Sequence, residues 1–211
     1  MDDPFPMRRR RSQFTRWMIQ DEVEIVGHKY LISSNASKSN SIFAIDVDGD
    51  GDVDVLTAGY HYSADTVNWF ENDGNQYFTK RVIPSTADQA SSIFAIDVDG
   101  DGDVDVLTTA RYSDTVGWYE NNGHQEFTEH IIDSNADGGR SVLAIDIDGD
   151  GDVDVLAASY FDDTVMWYEN DGSQMFTKHV VSDSTDGAWA VFAIDIDKDG
   201  DMDVSFRQQS L

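Results

Sequence analysis

Five aspartates on alternate positions of a nine-residue segment, repeated four times, constrain this chain more than any other feature. The copies are Asp46-Val-Asp-Gly-Asp-Gly-Asp-Val-Asp54, Asp97-Val-Asp-Gly-Asp-Gly-Asp-Val-Asp105, Asp146-Ile-Asp-Gly-Asp-Gly-Asp-Val-Asp154 and Asp195-Ile-Asp-Lys-Asp-Gly-Asp-Met-Asp203. Neighbouring carboxylates repel by roughly a few kcal/mol per close pair at an intermediate effective dielectric, so a metal-free loop gains nothing from them. A hard divalent cation reverses that sign. Calcium, which takes about six to eight oxygen ligands, suits such a set best.

The spacing assigns roles within each copy. The carboxylates at positions 1, 3 and 5 can converge on one ion: Asp46, Asp48 and Asp50, then Asp97, Asp99 and Asp101, Asp146, Asp148 and Asp150, and Asp195, Asp197 and Asp199. Position 6 is always glycine, where a tight turn needs an unusual backbone angle. Position 7 (Asp52, Asp103, Asp152, Asp201) offers a backbone carbonyl, as in other loops of this type. Position 9 (Asp54, Asp105, Asp154, Asp203) closes the sphere with a carboxylate. A solvated acidic turn without an ion is the alternative, and four copies with glycine at position 6 weigh against it. An EF-hand is excluded, because position 12 is Thr57, Thr108, Ala157 or Phe206 rather than a bidentate Glu. The runs on either side, Ser-Ile-Phe-Ala-Ile and Val-Leu-Thr-Ala around the first loop, read as strands. Each loop therefore joins two strands.

Loop starts at 46, 97, 146 and 195 set a period near 50 residues, which points to propeller blades or a related array. The expected fold is all-β, a β-propeller of about four four-stranded blades. The units run over about 41–91, 92–140, 141–189 and 190–206, within a propeller at 22–211. Ile42-Phe43-Ala44-Ile45, apolar on both faces, is expected to be a buried inner strand. Val53 to Ala58 is the second strand and Thr66-Val-Asn-Trp-Phe-Glu71 the third. Asn72-Asp73-Gly74 is a hairpin signal, and Phe78 to Ile83 is the fourth strand. Trp69, Trp118 and Trp167 recur in register. They read as packing anchors between sheets, with a ring of sugar-stacking platforms as the sharper alternative. One blade cannot bury both faces, so stability must come from its neighbours. The fourth unit lacks its outer two strands, and a hairpin over 22–32 is expected to supply them. Residues 1–21 form a separate basic arm, in which Phe14 to Ile19 also resembles a fourth strand.

Acidic residues number 41 against 14 basic, a net charge of −27. Nucleic acid is excluded as a partner on that ground, because phosphate binding needs a basic face. Without cysteine, neither a disulfide nor a thiolate zinc site can form. The longest apolar run, Ala188 to Ile194, is too short to span a bilayer. Arg8 to Arg11 are not followed by the apolar stretch of a secretory leader. Asn35-Ala-Ser37 is an N-glycosylation sequon in an expected loop.

The aspartate loop between Phe-Ala-Ile and Val-Leu-Thr-Ala resembles the FG-GAP/VCBS repeats of the integrin-alpha-like β-propeller family, over about residues 28–206. The Trp-Tyr-Glu-Asn-(Asp/Asn)-Gly segment is similar to the tandem VCBS-type repeats of large secreted and surface proteins. The resemblance implies a loop that joins the first two strands of a blade and binds calcium, about four ions in all. Lys198 departs from the glycine of the other copies, at a position that is not normally a ligand. The family's usual seven blades stand against four units here.

The expected function is that of a calcium-binding extracellular or cell-surface β-propeller used for structure, adhesion or assembly. Its partner would be a surface protein or glycan, or further copies reached through the basic arm. A lectin-like carbohydrate binder is the alternative, with Tyr60, Tyr62, Tyr112, Tyr160 and Phe161 lining one face. A calcium-dependent polysaccharide lyase is a third reading. No metalloprotease, nucleophile-elbow or phosphate-loop motif occurs, so no catalytic residue is nominated and no enzyme is expected.

Overall fold

The computed structural model describes residues 31–34, 38–59 and 66–209. The basic arm, the sequon at Asn35, most of the 22–32 hairpin, and Tyr60 and Tyr62 lie outside them. The described residues form fourteen strands in chain order. Sheet 1 holds β1 (Ser39–Ile45), β2 (Asp54–Gly59), β3 (Thr66–Asn72) and β4 (Phe78–Ile83). Sheet 2 holds β5 (Ala90–Ile96), β6 (Asp105–Ala110), β7 (Thr115–Asn121) and β8 (Phe127–Asp133). Sheet 3 holds β9 (Gly139–Ile145), β10 (Asp154–Ser159), β11 (Thr164–Asn170) and β12 (Phe176–Ser182). Sheet 4 holds β13 (Ala188–Ile194) and β14 (Asp203–Gln208). Every pairing is antiparallel and each four-stranded sheet runs in sequence order, so each is a meander.

The meander follows from loop chemistry. The aspartate loop links the first two strands, and the Asn-Asp/Asn-Gly turn links the last two. Registers repeat: Leu56 lies opposite Trp69 and Trp69 opposite Arg81, as do Leu107, Trp118 and His130, and Leu156, Trp167 and His179.

In sheets 1 to 3 the second strands, and not the first as expected, are buried along their whole length, whereas β14 in the two-stranded sheet 4 is largely exposed. The first strand alternates, and Ile42 is exposed. The reason is position in the sheet. The second strand is flanked on both edges and covered on both faces, whereas the first is an edge strand whose alternate residues leave the core. Its open edge is used: Ser41, Ser92 and Ser141 hydroxyls accept the backbone N–H of Ile93, Val142 and Val191 in the next sheet at 3.2, 3.2 and 3.3 Å. Successive sheets thus meet first strand to first strand.

No sheet has a core of its own. One cluster joins Leu56, Val67, Trp69 and Ile83 of sheet 1 to Ala90, Ile93, Val106 and Tyr119 of sheet 2. Equivalent clusters join sheets 2 and 3 and sheets 3 and 4. Burying such side chains is worth about 1.5–3 kcal/mol each, and every cluster needs both sheets. Ile32 packs on Val55 and Phe70, the repeat-equivalent of Ile83 on Val106 and Tyr119. It therefore covers the outer side of sheet 1. Trp69 and Trp118 are buried. Trp118 and Trp167 stack under His130 and His179, with ring centroids 4.6 and 4.7 Å apart, and Arg81 lies over Trp69. This is the packing role expected of them. Among the described residues no helix is long and apolar enough to cross a membrane, which says nothing of a β-barrel.

Candidate metal centre

Each aspartate loop is folded by its own carboxylates. Asp46 accepts the N–H of Gly49 through Oδ1 at 2.9 Å and that of Gly51 through Oδ2 at 2.8 Å. Asp48 accepts from Asp50 N, and Asp50 from Asp52 N. The second, third and fourth loops repeat the pattern, Asp97 with Gly100 and Gly102, Asp146 with Gly149 and Gly151, and Asp195 with Lys198 and Gly200. These bonds turn the chain so that carboxylates face one point. In each loop three offer oxygens within 4.8 Å of one another: Asp46, Asp48 and Asp50; Asp97, Asp99 and Asp101; Asp146, Asp148 and Asp154; Asp195, Asp197 and Asp199. An all-oxygen, triply anionic cluster is the donor chemistry of a hard divalent cation. Burial pushes the pKa of Asp48 and of Asp99 up, and the neighbouring carboxylates add to it: Asp50, Glu71 and Asp46 for the first, Asp101, Asp97 and Glu120 for the second. A bound cation would relieve that repulsion.

The turn requires a left-handed backbone at two loop positions. Position 6 has φ of 95 to 103° in the four copies, as its glycine predicts. Position 4 is also left-handed, at 74, 77 and 79° for Gly49, Gly100 and Gly149 and at 64° for Lys198. Position 4 is thus a second left-handed constraint beside position 6, and three of the four copies signal it with glycine.

Positions 7 and 9 tie the first three loops to the rest of their sheets. Asp54 is fully buried. Its Oδ2 accepts the Val47 N–H at 3.1 Å and the Trp69 Nε1–H at 2.8 Å, and its Oδ1 accepts the Asn72 N–H at 2.7 Å. The position-9 carboxylate therefore pins the loop to the third strand. Asp105 and Asp154 repeat the pin through Val98 and Asn121, and through Ile147 and Asn170. The Trp118 and Trp167 indole N–H groups point toward these carboxylates closely enough to favour their ionised forms, yet fall outside hydrogen-bond geometry. Only the Trp69 indole N–H makes that hydrogen bond. Burial still dominates, raising the pKa of Asp54 and Asp154 and taking Asp105 to about 6. The Asp52 carboxylate lies against the hairpin glycine: a Cβ at Gly74 would sit within 2.4 Å of its Oδ2, and Asp103 and Asp152 face Gly123 and Gly172 alike. In the fourth loop Asp203 accepts the Ile196 N–H and is exposed.

Two sets of residues were passed over in the sequence. Glu71 and Glu120, two positions after the tryptophan, face the position-3 aspartates closely enough to raise their pKa. Glu71 is paired with Arg81, Glu120 with His130 and Glu169 with His179. Asn72, Asn121 and Asn170 cap the loop's exit, each donating its side-chain amide to the carbonyl of Val53, Val104 or Val153. Their recurrence in register was the available signal.

The fold and the loops together define a tandem all-β repeat protein whose unit carries one acidic, cation-type loop. The chain belongs to the FG-GAP-like repeat family, whose pattern matches residues 46–108, 97–157 and 146–205. Among solved structures it is similar to the V. cholerae biofilm matrix protein Bap1, at 20% sequence identity and a TM-score of 0.51, over 80% of this chain and 28% of that one. The chain thus spans under a third of that protein, and the likeness is one of fold. A comparison with curated protein sequences gives no match.

Proposed function

We propose that the chain is a calcium-binding, non-enzymatic module of β-propeller type that works outside the cell in structure, adhesion or assembly. The observation that carries this reading is the carboxylate triad found in each of the four loops within 4.8 Å. Propeller geometry is supported by successive four-stranded meanders meeting first strand to first strand. An extracellular setting suits loops of this kind, whose affinities in extracellular modules correspond to about 10⁻⁴–10⁻³ M. Four ions would bring the net charge of −27 to −19, still well short of nucleic-acid binding. Partners would be a surface protein or glycan, with the basic arm at 1–21 linking copies and Asn35 open to glycosylation in a eukaryotic secretory route.

Calcium titration with elemental analysis tests the reading. About four ions per chain are expected, with magnesium a poor substitute because it keeps a smaller, hydrated octahedron. A chain that binds no calcium at millimolar concentration overturns it. A second reading, carbohydrate binding, is favoured by the exposed Tyr112 and Phe161 at the rim opposite the loops.

A further inference from the structure

The repeats are nearly identical at the aspartate loops and diverge at the other end of the sheets. The second residue of the first strand is Ser91 in sheet 2, Arg140 in sheet 3 and Trp189 in sheet 4. The residue after the second strand is Arg111 in sheet 2 and Tyr160 in sheet 3, each followed by an aromatic, Tyr112 or Phe161. A purely structural position in a repeat keeps its residue type, as Trp69, Trp118 and Trp167 do. A single binding site has to break the repeat, and these positions do so together in space.

The divergent side chains form one continuous surface across three sheets. The Arg111 guanidinium lies 5.0 Å from the Phe161 ring centroid. Phe161 meets Tyr160 edge-on at 5.2 Å, and Tyr160 meets Trp189 edge-on at 6.0 Å. The Arg140 guanidinium lies over Trp189 at 4.1 Å and over Tyr160 at 5.6 Å. Neither arginine has a carboxylate partner among the described residues, although acidic residues outnumber basic ones by 41 to 14. The Nε of each is closed off from solvent and makes no hydrogen bond there. Burial and the charge of Arg111 lower the pKa of Arg140, so the two cations are held near each other. Tyr112, Phe161 and Trp189 are 59, 50 and 40% exposed, so the aromatic wall is open.

We infer that this rim is a binding site for a carboxylated oligosaccharide, a uronate-bearing glycan. Two guanidiniums fixed on aromatic faces present forked donors that match a carboxylate. Flat exposed rings cover the C–H face of a sugar. The carboxylates of Asp114 and Asp162, which already accept the N–H of Gly138 and Asp137, have lone pairs left for hydroxyl groups. The same acidic field discriminates among anions. A nucleic-acid duplex, with a charge about every 1.7 Å of its axis, is repelled by a net charge of −27 more strongly than a uronate chain with one charge per ring among many hydroxyls. The inference rests on the carbohydrate-binding reading and supplies its ligand class and site. It is independent of the metal, because the rim lies at the end of the sheets away from the aspartate loops.

The test is calorimetric titration of the calcium-loaded chain with trimers of galacturonate, glucuronate, guluronate and mannuronate, beside their neutral methyl esters. At least one acid should bind, and its ester should bind at least about tenfold more weakly, the scale of one lost charge-assisted contact. Arg140→Gln and Arg111→Gln should each lose about tenfold while keeping the wild-type melting temperature. Should either variant misfold, the wild type still decides: a bound trimer must protect Arg111 and Arg140 from phenylglyoxal, mapped by mass spectrometry. Equal binding of acid and ester overturns the carboxylate site and leaves carbohydrate binding standing. No binding of any trimer overturns both, and binding without protection of the arginines places the site elsewhere and overturns this one. Equal binding of poly-glutamate overturns the assignment to a sugar.

Discussion

Lys198 occupies a left-handed position that its three counterparts fill with glycine, at a φ of 64°. A non-glycine residue there stores backbone strain of the order of 1 kcal/mol. Lys198→Gly should raise the melting temperature modestly and tighten calcium binding at the fourth loop, read by calorimetry of the two proteins side by side. Within a loop, positions 1 and 9 should respond differently to mutation. Asp97→Ala removes a cluster carboxylate whose own bonds, to Gly100 and Gly102, are exposed. It should cost one bound ion and little stability in chelator. Asp105→Asn places an amide among the N–H donors of Val98 and Asn121 in a fully buried site. It should cost about 2 kcal/mol or more even in chelator, because buried donors are left unpaired. Denaturant unfolding with and without chelator separates the two. Equal losses in chelator would show that position 9 is a ligand and not a pin.

At the scale of strands and sheets, the seam between sheets 2 and 3 has a polar lock. Asp133 at the end of β8 accepts from the Tyr168 hydroxyl of β11 at 2.8 Å and from Lys178 Nζ of β12 at 2.6 Å. Burial pulls the Asp133 pKa upward, but Lys178 and Tyr168 outweigh it and leave it below the ordinary value of 3.8. The folded state therefore holds the ionised form more strongly than the unfolded state does. The stabilisation is fully present above about pH 4 and is lost as pH falls through the depressed folded value. Asp133→Asn should lower the melting temperature at pH 6, and the gap to wild type should close as pH falls through the depressed folded value. A gap unchanged by pH would mean that packing, not charge, accounts for the seam. The seam between sheets 1 and 2 is built otherwise, with the Tyr119 hydroxyl on Ser85 and Glu129.

For the whole molecule, stability should be inseparable from calcium. Three of the four core clusters are shared between successive sheets, and the four loops hold 20 of the 41 acidic residues. Ligand bound only by the folded state adds to its stability by mass action. Chelation should lower the melting temperature by well over about 10 °C, with poor rescue by magnesium. An unchanged melting curve in excess chelator would refute calcium binding. Self-association belongs to this scale as well. A basic arm on an acidic body can dock on the next copy, and a contact that does not close gives a filament. Deleting residues 1–21 should leave a calcium-binding monomer, while the full chain sediments as salt-sensitive oligomers. Association unaffected by the deletion would rule the arm out.

The sequence by itself determined the repeat, the antiparallel meander of each unit, the placing of an aspartate loop between the first two strands, and the acidic character of the whole. Those features are local. Alternating aspartates, a glycine at position 6 and an Asn-Asp/Asn-Gly turn act over a few residues, so they are legible in the order of the chain. Three other features are set by what lies across a seam, and no stretch of chain carries them. In sheets 1 to 3 burial belongs to the second strand because a strand on each edge and packing on both faces cover it, and β14, with one neighbouring strand, stays exposed. The position-9 aspartate became a buried pin because Trp69 and Asn72, 15 and 18 residues away, come back to it. Arg111, Arg140 and Trp189 are isolated departures from the repeat in the sequence. Only the stacking of sheets 2, 3 and 4 brings a cation–aromatic surface out of them.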